Sequence, residues 1–493
     1  MASQLHFVMF PLMAQGHMIP MIDMARLFAK RGVIVTIVTT PLNAFRFKPI
    51  IDRAIDSGLP IRLLKLRFPC VEAGLPEGCE NVDTLPSRES GKNFFIAISM
   101  LQQPLEQLLG ELQPHPSCII SDKNFPWTSD VARKFHIPRI VFHGTCCFSL
   151  FCSHSILLSK VHESVTSESE SFVVPGMPDR IEITKAQLPE SINVVESSGM
   201  RDVFRSIKEA ELITHGVVVN SFEELEPGYV KEYKKTKGDK VWCIGPVSLC
   251  NKEILDKVER GNKASIDGNQ CLKWLDSKQP SSVVYACLGS TCRLIPSQLI
   301  EIGMGLEASN RPFIWVIDGG VKSSELEKLL KEEGFEERTR GKGLLIHGWA
   351  PQVLILSHPA IGGFLTHCGW NSTLEGVCAG VPMITCPLYA EQFYNEKLAV
   401  QILRVGVRVG IEASVRWGEE EKVGVLVKRK DVKKAVDRLM DEGEEGEERR
   451  KRARELGEMA NRAIEEGGSS HLNITLLIQD IMRLVSEKQH IQD

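Results

Sequence analysis

Short apolar segments alternate with helical segments along this 493-residue chain. LHFVMF (5–10) is typical of a buried strand, residues 18–32 have helical spacing and end on a glycine, and VIVTIVTT (33–40) is rich in β-branched residues. A strand, a helix and a second strand in this order predict a β-α-β unit with a right-handed crossover, and hence a parallel sheet. The same alternation predicts further strands at 118–122, 139–144 and 216–221.

A second series of strands follows a polar, glycine-bearing segment at 244–270. Its strands are predicted at 282–289, 312–318, 343–349, 360–367 and 381–387, with a helix at 297–310. Helical stretches near 429–465 and 470–486 follow. We therefore predict an α/β fold with two Rossmann-like doubly wound domains that face a cleft. The boundaries are 1–245 for the first domain, 246–270 for the linker and 271–469 for the second domain, with a terminal helix at about 470–493 joining the first.

Composition and charge exclude several classes of protein. The net charge of −4 argues against nucleic acid as a partner, because binding phosphates requires a clustered basic surface. No stretch approaches 18 consecutive apolar residues, so we expect no integral membrane segment. The first residues lack a basic region and their apolar run is broken by Pro11, which argues against a secretory signal. With 14 cysteines at no regular spacing, we expect reduced thiols and a cytoplasmic location. We also expect a monomer.

The segment FLTHCGWNSTLEG (364–376) carries an unusual density of polar groups directly after an apolar strand. If a helix begins near Ser372, the loop before it presents unpaired N–H groups and the positive end of a helix dipole, which favour an anion. His367, Asn371 and Ser372 would add side-chain donors, and Glu375 could accept from the paired hydroxyls of a ribose. The segment therefore predicts a phosphate-plus-ribose site, and so a nucleotide.

Other ligands fit the sequence less well. There is no Walker A sequence, and a G-x-G-x-x-A match at 303–308 lies inside a helical pattern, before its strand. A zinc site at His367, Cys368 and Cys378 lacks a second ligand pair at finger-like spacing. Two alternatives remain open beside an enzyme acting on a nucleotide-activated substrate. They are a nucleotide-sugar binding protein without catalysis and a nicotinamide-dependent oxidoreductase.

The 44 residues from Trp349 to Gln392 resemble the donor-binding box of plant family-1 UDP-sugar glycosyltransferases. The resemblance continues in MAQGHMIPMIDMARL near the start and at 175–189, 218–227 and 465–473. It is strongest to the branch acting on triterpenoids, steroids, flavonols and cytokinins. The resemblance implies the GT-B architecture, UDP-glucose as co-substrate and an inverting, metal-independent hexosyl transfer with no cofactor.

The resemblance also assigns donor-site roles to particular residues. Trp349 would stack on the uracil, with the backbone of Ala350 and Gln352 at its edge, and Glu375 would hold the ribose. The diphosphate would contact Ser290, His367, Asn371 and Ser372, and the sugar would face Trp370, Glu391 and Gln392. In this family a glutamine at the last position usually accompanies glucose.

The resemblance also implies a catalytic pair, in the motif QGH and at the end of the strand CIISD. His17 would be the general base and Asp122 the acid that fixes its tautomer, whereas Asp130 would lie on a helix face. Because a helix N-terminus disfavours positive charge, we expect the His17 imidazole to stay neutral.

The acceptor is predicted only as a class. Apolar loops in the first domain indicate a pocket for a fused-ring aglycone, with Met13, Phe125 and Phe148 as candidates, although each could equally be core. We expect a triterpenoid acceptor. Flavonoid, steroid or other phenolic acceptors, and other UDP-sugars, remain alternatives.

Overall fold

The computed structural model describes residues 4–87, 89–193, 200–290, 292, 294–317, 324–416 and 419–492. The first residues of the predicted first domain (1–3), the end of the strand predicted at 312–318 and residue 493 of the terminal helix lie outside the described residues.

A parallel seven-stranded sheet forms the first half of the molecule, with strand order β3-β2-β1-β4-β5-β8-β9. A small antiparallel hairpin, β6–β7, lies apart from it. The strands of this half are β1 His6–Phe10, β2 Ile34–Thr39, β3 Ile61–Lys65, β4 Cys118–Asp122, β5 Arg139–His143, β6 Ser171–Val173, β7 Glu182–Thr184, β8 Gly216–Val219 and β9 Val241–Cys243.

A second parallel sheet of six strands has the order β12-β11-β10-β13-β14-β15. Its strands are β10 Val283–Cys287, β11 Phe313–Ile317, β12 Gly343–His347, β13 Ile361–Thr366, β14 Met383–Thr385 and β15 Gly406–Arg408. Two parallel sheets with intervening helices confirm the predicted α/β fold class.

Helices connect the strands of both sheets. They are α1 Gln15–Ala29, α2 Pro41–Asp56, α3 Ser90–Ser99, α4 Gln102–Glu111, α5 Thr128–Lys134, α6 Cys147–Ser159, α7 Arg201–Leu212, α8 Pro227–Thr236, α9 Ile254–Val258, α10 Gly268–Asp276, α11 Pro296–Ala308, α12 Ser324–Glu327, α13 Phe335–Arg338, α14 Gln352–Leu356, α15 Trp370–Cys378, α16 Gln392–Lys397, α17 Glu420–Val423, α18 Arg429–Leu439, α19 Glu444–Ile464 and α20 Ser469–Gln492. Within the described ranges, no helix is both long enough and apolar enough to cross a membrane.

The helical stretch predicted at 429–465 is two helices, α18 and α19. The carboxylate of Asp441 accepts the backbone N–H of Gly443 at 3.0 Å, which closes a turn between them. The terminal helix α20 packs on the first sheet, where Ile474, Leu477 and Ile481 join the apolar core around β1 and β4. The segment predicted as a linker contains the short helix α9.

Strand order reverses at one point in each sheet, between β1 and β4 and between β10 and β13. A crevice opens at such a point because the flanking connections leave on opposite faces, and ligands of doubly wound sheets bind there. His17 and Asp122 follow or end the strands at the first switch point, and Ser290 and His367 follow those at the second. The topology therefore brings the predicted catalytic and donor residues to the two switch points.

Candidate active site

The predicted catalytic pair is formed. Nδ1 of His17, in the first turn of α1, lies 2.5 Å from Oδ2 of Asp122 at the end of β4. The second carboxylate oxygen, Oδ1, accepts the backbone N–H of Asn124 at 2.9 Å and its amide at 2.7 Å. Asp122 is fully buried and the His17 side chain is 28% exposed. The pair therefore directs the Nδ1 proton of His17 to Asp122 and leaves Nε2 as the free base.

The pKa of His17 is raised above its ordinary value. Burial lowers it, but the charge of Asp122 and the hydrogen bond to it outweigh that effect. The helix N-terminus alone favours the neutral ring, as expected from the sequence, but the carboxylate in direct contact outweighs it and shifts the pKa upward. The pKa of Asp122 is lowered by His17 and by the Asn124 N–H, although burial opposes this.

The loop between β13 and α15 is built for close approach to the helix N-terminus. Cys368 adopts a left-handed conformation with φ of 63°, which residues other than glycine rarely adopt outside functional sites. The Asn395 amide donates to the Cys368 carbonyl at 2.8 Å and holds this turn. Gly369 follows as the N-cap of α15, so the first N–H groups of the helix have no intrahelical acceptor.

His367 is wedged between two glycines of this site. A Cβ at Gly289 would lie 2.6 Å from the His367 ring, and one at Gly369 would lie 2.3 Å from its Nε2. Burial lowers the pKa of His367 to about 4, so the ring is neutral at physiological pH. Its Nδ1 is buried without a hydrogen-bond partner among the described residues. A neutral ring of this kind can donate an N–H hydrogen bond to an anion but carries no positive charge.

The predicted ribose residue, Glu375, lies on α15 and is buried. Its Oε2 accepts the amide of Gln352 at 2.7 Å, and the same amide donates to Ser372 at 3.1 Å. Its Oε1 accepts from the guanidinium of Arg260, in the linker. Sequence analysis placed Gln352 and Glu375 in one site but did not identify Arg260.

The predicted uracil site lies at the end of β12. Trp349 is half-buried, and its indole Nε1 is buried with no hydrogen-bond partner among the described residues. The Ala350 carbonyl accepts the N–H of Gln352 at 2.8 Å, which leaves one lone pair of that carbonyl for a base edge. Ser290, after β10, is half-buried.

The three predicted sugar-facing residues differ in how they are held. The Trp370 indole is buried and donates to the Asn220 carbonyl at 2.7 Å, so its N–H is already engaged. Oε1 of Gln392 accepts the N–H groups of Leu388 and Tyr389 at 2.8 and 3.1 Å, which leaves its amide nitrogen as the donor. The charge of Glu391 contributes to the raised pKa of His17, so this carboxylate lies close to the base.

A direct hydrogen bond joins the two halves of the site. The Asn371 amide, in the first turn of α15, donates to the carbonyl of Gly16 at 2.7 Å. Gly16 immediately precedes His17. His17 is therefore one residue away from a contact with the predicted diphosphate loop, which comprises residues 367–372.

The acceptor-pocket candidates are core residues. Met13, Phe125 and Phe148 are each 0% exposed. Phe125 stacks on Phe10 with ring centroids 4.5 Å apart, and Phe148 packs edge-on against Tyr229. Side chains with no accessible surface do not line a pocket, so this prediction was wrong. Apolar loops beneath a sheet edge fill the core as readily as a cleft, and the sequence pattern is the same in both cases.

A metal site is not apparent in the described parts of the chain, where no three His, Cys, Asp or Glu side chains are grouped as ligands. The residues that sequence analysis missed at this site are polar bridges between segments. The Asn220 carbonyl accepts from Trp370 at the start of α15. Arg260 and Ser265 connect the linker to Glu375 and to Trp349, respectively. The sequence offered no periodic signal for them.

Comparison with known proteins adds a family context. The family model described as UDP-glucoronosyl and UDP-glucosyl transferase matches residues 262–439, and the one described as glycosyltransferase, N-terminal domain, matches residues 3–249. UDP-glycosyltransferase 73C5 of Arabidopsis thaliana is 57% identical over 484 residues, which cover 98% of either chain. UDP-glycosyltransferase 73C25 of Barbarea vulgaris is 56% identical, covering 98% of this chain and 97% of the relative.

Solved structures resemble the whole chain. That of Glycyrrhiza uralensis UGT73P12 complexed with glycyrrhetinic acid 3-O-monoglucuronide has a TM-score of 0.92 and 38% identity, covering 99% of this chain and 98% of the other. That of Medicago truncatula UGT71G1 complexed with UDP-glucose has a TM-score of 0.78 and 25% identity, covering 97% and 98%.

Proposed function

Because this chain belongs to the plant family of UDP-glycosyltransferases, enzymes that transfer a sugar from a UDP-sugar to a small molecule, we propose that its donor is UDP-glucose and its acceptor a hydroxyl of a triterpenoid aglycone. The product is a β-O-glucoside. The observation that carries the proposal is the His17–Asp122 pair, bonded through the neighbouring Gly16 carbonyl to Asn371 of the diphosphate loop.

The proposed chemistry is a single displacement. Nε2 of His17 takes the proton of the acceptor hydroxyl while its oxygen attacks the anomeric carbon on the face opposite UDP. The carbon–oxygen bond to UDP breaks, so an α-linked sugar becomes a β-glucoside. Asp122 stabilises the imidazolium that forms.

The leaving UDP requires stabilisation of its developing charge. The N-terminus of α15 and the N–H of His367 supply donors there. We therefore propose that the transfer needs neither a metal nor a cofactor.

Two features support the choice of donor and acceptor. The amide nitrogen of Gln392, for which the described residues show no acceptor, is a donor suited to a sugar hydroxyl. The similar Glycyrrhiza uralensis structure holds a triterpenoid glucuronide, which supports a triterpenoid acceptor.

We also propose a cytoplasmic location and a monomeric state. All 14 cysteines are free and 12 of them are buried, which fits a reducing compartment.

Mass spectrometry of reaction products tests the proposal. The purified protein is incubated, with EDTA, with UDP-glucose, UDP-galactose or UDP-glucuronate and a set of oleanane sapogenins, sterols, flavonols and phenols. We expect a hexosylated sapogenin from UDP-glucose alone. Loss of turnover in EDTA would contradict metal independence, and transfer from another donor or to a flavonol alone would contradict the assigned substrates.

His17→Ala is the matched control for the chemistry. General-base catalysis contributes about 10²- to 10⁴-fold to the rate. Turnover by this variant should therefore fall by a factor within or above that range, while UDP still binds. Near-normal turnover in this variant would contradict the role of His17.

A further inference from the structure

Arg260, in the linker, joins carboxylates from the two halves of the molecule. We propose that Arg260 is a positioning residue of the donor site, which holds the Glu375 carboxylate in the orientation that receives the two ribose hydroxyls of UDP-glucose. The inference rests on the proposed function, because it takes Glu375 as the ribose-binding residue.

The contacts of Glu375 leave room for a ribose. Arg260 donates from Nη1 to Oε1 of Glu375, and Gln352 donates to Oε2 at 2.7 Å. A carboxylate offers about four acceptor positions, so two remain after these bonds form. With one donor on each oxygen the carboxylate cannot rotate freely, and its remaining lone pairs have fixed directions.

Arg260 is itself anchored outside the donor site. Its Nε donates at 2.8 Å to Oδ2 of Asp23, a fully buried residue of α1, whose Oδ1 accepts the amide of Asn251 at 2.9 Å. The side chains of Arg260 and Glu375 are 8% and 5% exposed. Burial opposes the charge of Arg260, but Asp23 and Glu375 together raise its pKa. The guanidinium is thus charged and fixed before a donor arrives, which is what preorganised binding requires.

The residues after Arg260 hold the linker against the predicted uracil site. Gly261 has φ of 96°, and a Cβ there would lie 2.4 Å from Cζ2 of the Trp349 indole. The Ser265 N–H donates to the Trp349 carbonyl at 2.8 Å, and its hydroxyl accepts the Trp349 N–H at 2.9 Å. The linker therefore contacts both residues assigned to the nucleoside, at Trp349 and at Glu375.

Without Arg260, Glu375 would be a buried carboxylate with a single neutral donor. A buried carboxylate without its charged partner is costly, and with no donor on Oε1 it can rotate away from the orientation in which it accepts from a vicinal diol. The affinity for the ribose hydroxyls should fall, and the affinity for the rest of UDP should not.

Titration calorimetry with UDP and with 2′,3′-dideoxy-UDP, which lacks both ribose hydroxyls, tests the inference. A hydrogen bond to a charged group corresponds to about 10-fold or more in affinity. The wild-type protein should therefore bind UDP more tightly than the analogue by at least that factor. In Arg260→Gln we expect UDP to bind about 10-fold more weakly, 2′,3′-dideoxy-UDP to change by less than about 3-fold, and the preference for UDP to shrink accordingly. Arg260→Lys, which keeps the charge, should restore part of the preference.

Arg46→Gln is the matched control. Arg46 forms a two-pronged ion pair with Asp83 in the first half of the molecule and contacts neither Glu375 nor Trp349 in the described structure. The Arg46→Gln variant should bind both ligands with wild-type affinity.

Three outcomes would overturn the inference: an equal loss of affinity for both ligands in Arg260→Gln, unchanged affinity, or tighter binding of UDP. If Arg260→Gln does not fold, Arg260→Lys decides, because a wild-type preference for UDP in that variant would also overturn it. Failure of wild type to bind UDP at all would instead contradict the proposed function.

Discussion

Asp122 determines two properties of His17, namely which ring nitrogen carries the proton and how readily the ring accepts a second one. The contact at Nδ1 fixes the tautomer, and the nearby charge raises the pKa. The two effects act in opposite directions on the amount of free base, because a raised pKa leaves a smaller neutral fraction at a given pH. The contact with Asp122 therefore favours the proposed reaction by orienting Nε2, and not by increasing the amount of neutral imidazole.

Asp122→Asn should separate these effects. Only neutral His17 acts as base, so activity rises as pH increases through its raised pKa. Without the carboxylate, burial and the charge of Lys123 lower the pKa of His17 against the smaller opposing effect of Glu391, so the acidic limb of kcat should move to lower pH. The plateau should fall by about 10²-fold or more, because the amide does not enforce the tautomer. The measurement is kcat between about pH 5 and 9.

Asp130→Asn is the control for this profile. Asp130 lies on α5, is 60% exposed and pairs with Arg133, so its loss should leave both limb and plateau unchanged. An acidic limb at the same pH in Asp122→Asn and wild type would show that Asp122 does not set the pKa of His17.

The sequence predicted some of the site residues, missed others and assigned Phe125 wrongly. His17 and Asp122 were predicted from the resemblance of QGH and CIISD to family motifs, and Glu375 from its place one turn into the helix after an apolar strand. Arg260 lies in a polar segment without periodicity, and no pattern states which carboxylate a long side chain will reach. The Phe125 error has a related cause, since apolarity does not distinguish a pocket wall from the core.

At the scale of elements, α20 carries much of the packing on the first sheet. Leu477 is 0% exposed, whereas its neighbour Leu476 is 54% exposed. Asp480 of the same helix accepts from His215 at 2.6 Å and pairs with Lys240 beside β9. One face of the helix is therefore part of the first core, although the helix follows the second half of the chain.

The adjacent leucines offer a matched pair of variants. Leu477→Ala should lower the free energy of unfolding by about 2–5 kcal/mol through lost burial and a cavity. Leu476→Ala should change it by less than about 0.5 kcal/mol. Urea unfolding measures both, and equal effects would contradict the packing of α20.

The strands that the sequence predicted are mostly buried, with the edge strand β12 as the exception. Central strands such as β1 and β13 are fully buried apolar runs, whereas the edge strands β3 and β12 are half-buried. The strands missed were β3, β9, β15 and the β6–β7 hairpin, and all but β3 have only three residues. Such short strands form because they pair with a neighbouring strand, and three residues are too few to show the alternating apolar pattern of a strand.

At the scale of the whole molecule, the two halves share one apolar cluster. It extends from Phe148 and Tyr229, in helices of the first half, to Tyr285 and Phe364 in the second sheet. Polar bonds cross the same boundary, including Ser149 to Asn395 at 2.8 Å. The halves should therefore unfold together.

Calorimetry should show one unfolding transition, and UDP should move all of it upward. At about 100 times its Kd, a ligand stabilises the native state by about 2.7 kcal/mol. Glu375→Gln, with weakened UDP binding, should show a smaller shift. Two transitions, of which UDP moves only one, would show that the halves unfold independently.

The bonds from Trp370 and Asn371 across the boundary end on main-chain carbonyls, those of Asn220 and Gly16. Every residue type presents such an acceptor, so these two contacts do not depend on which side chains the first half carries. A chimera that joins the donor half of this chain to the acceptor half of a relative should keep both bonds. Exchange of halves should therefore be possible in this fold, because the loops of the first half can be replaced while Asn371 stays in register with Gly16 and His17.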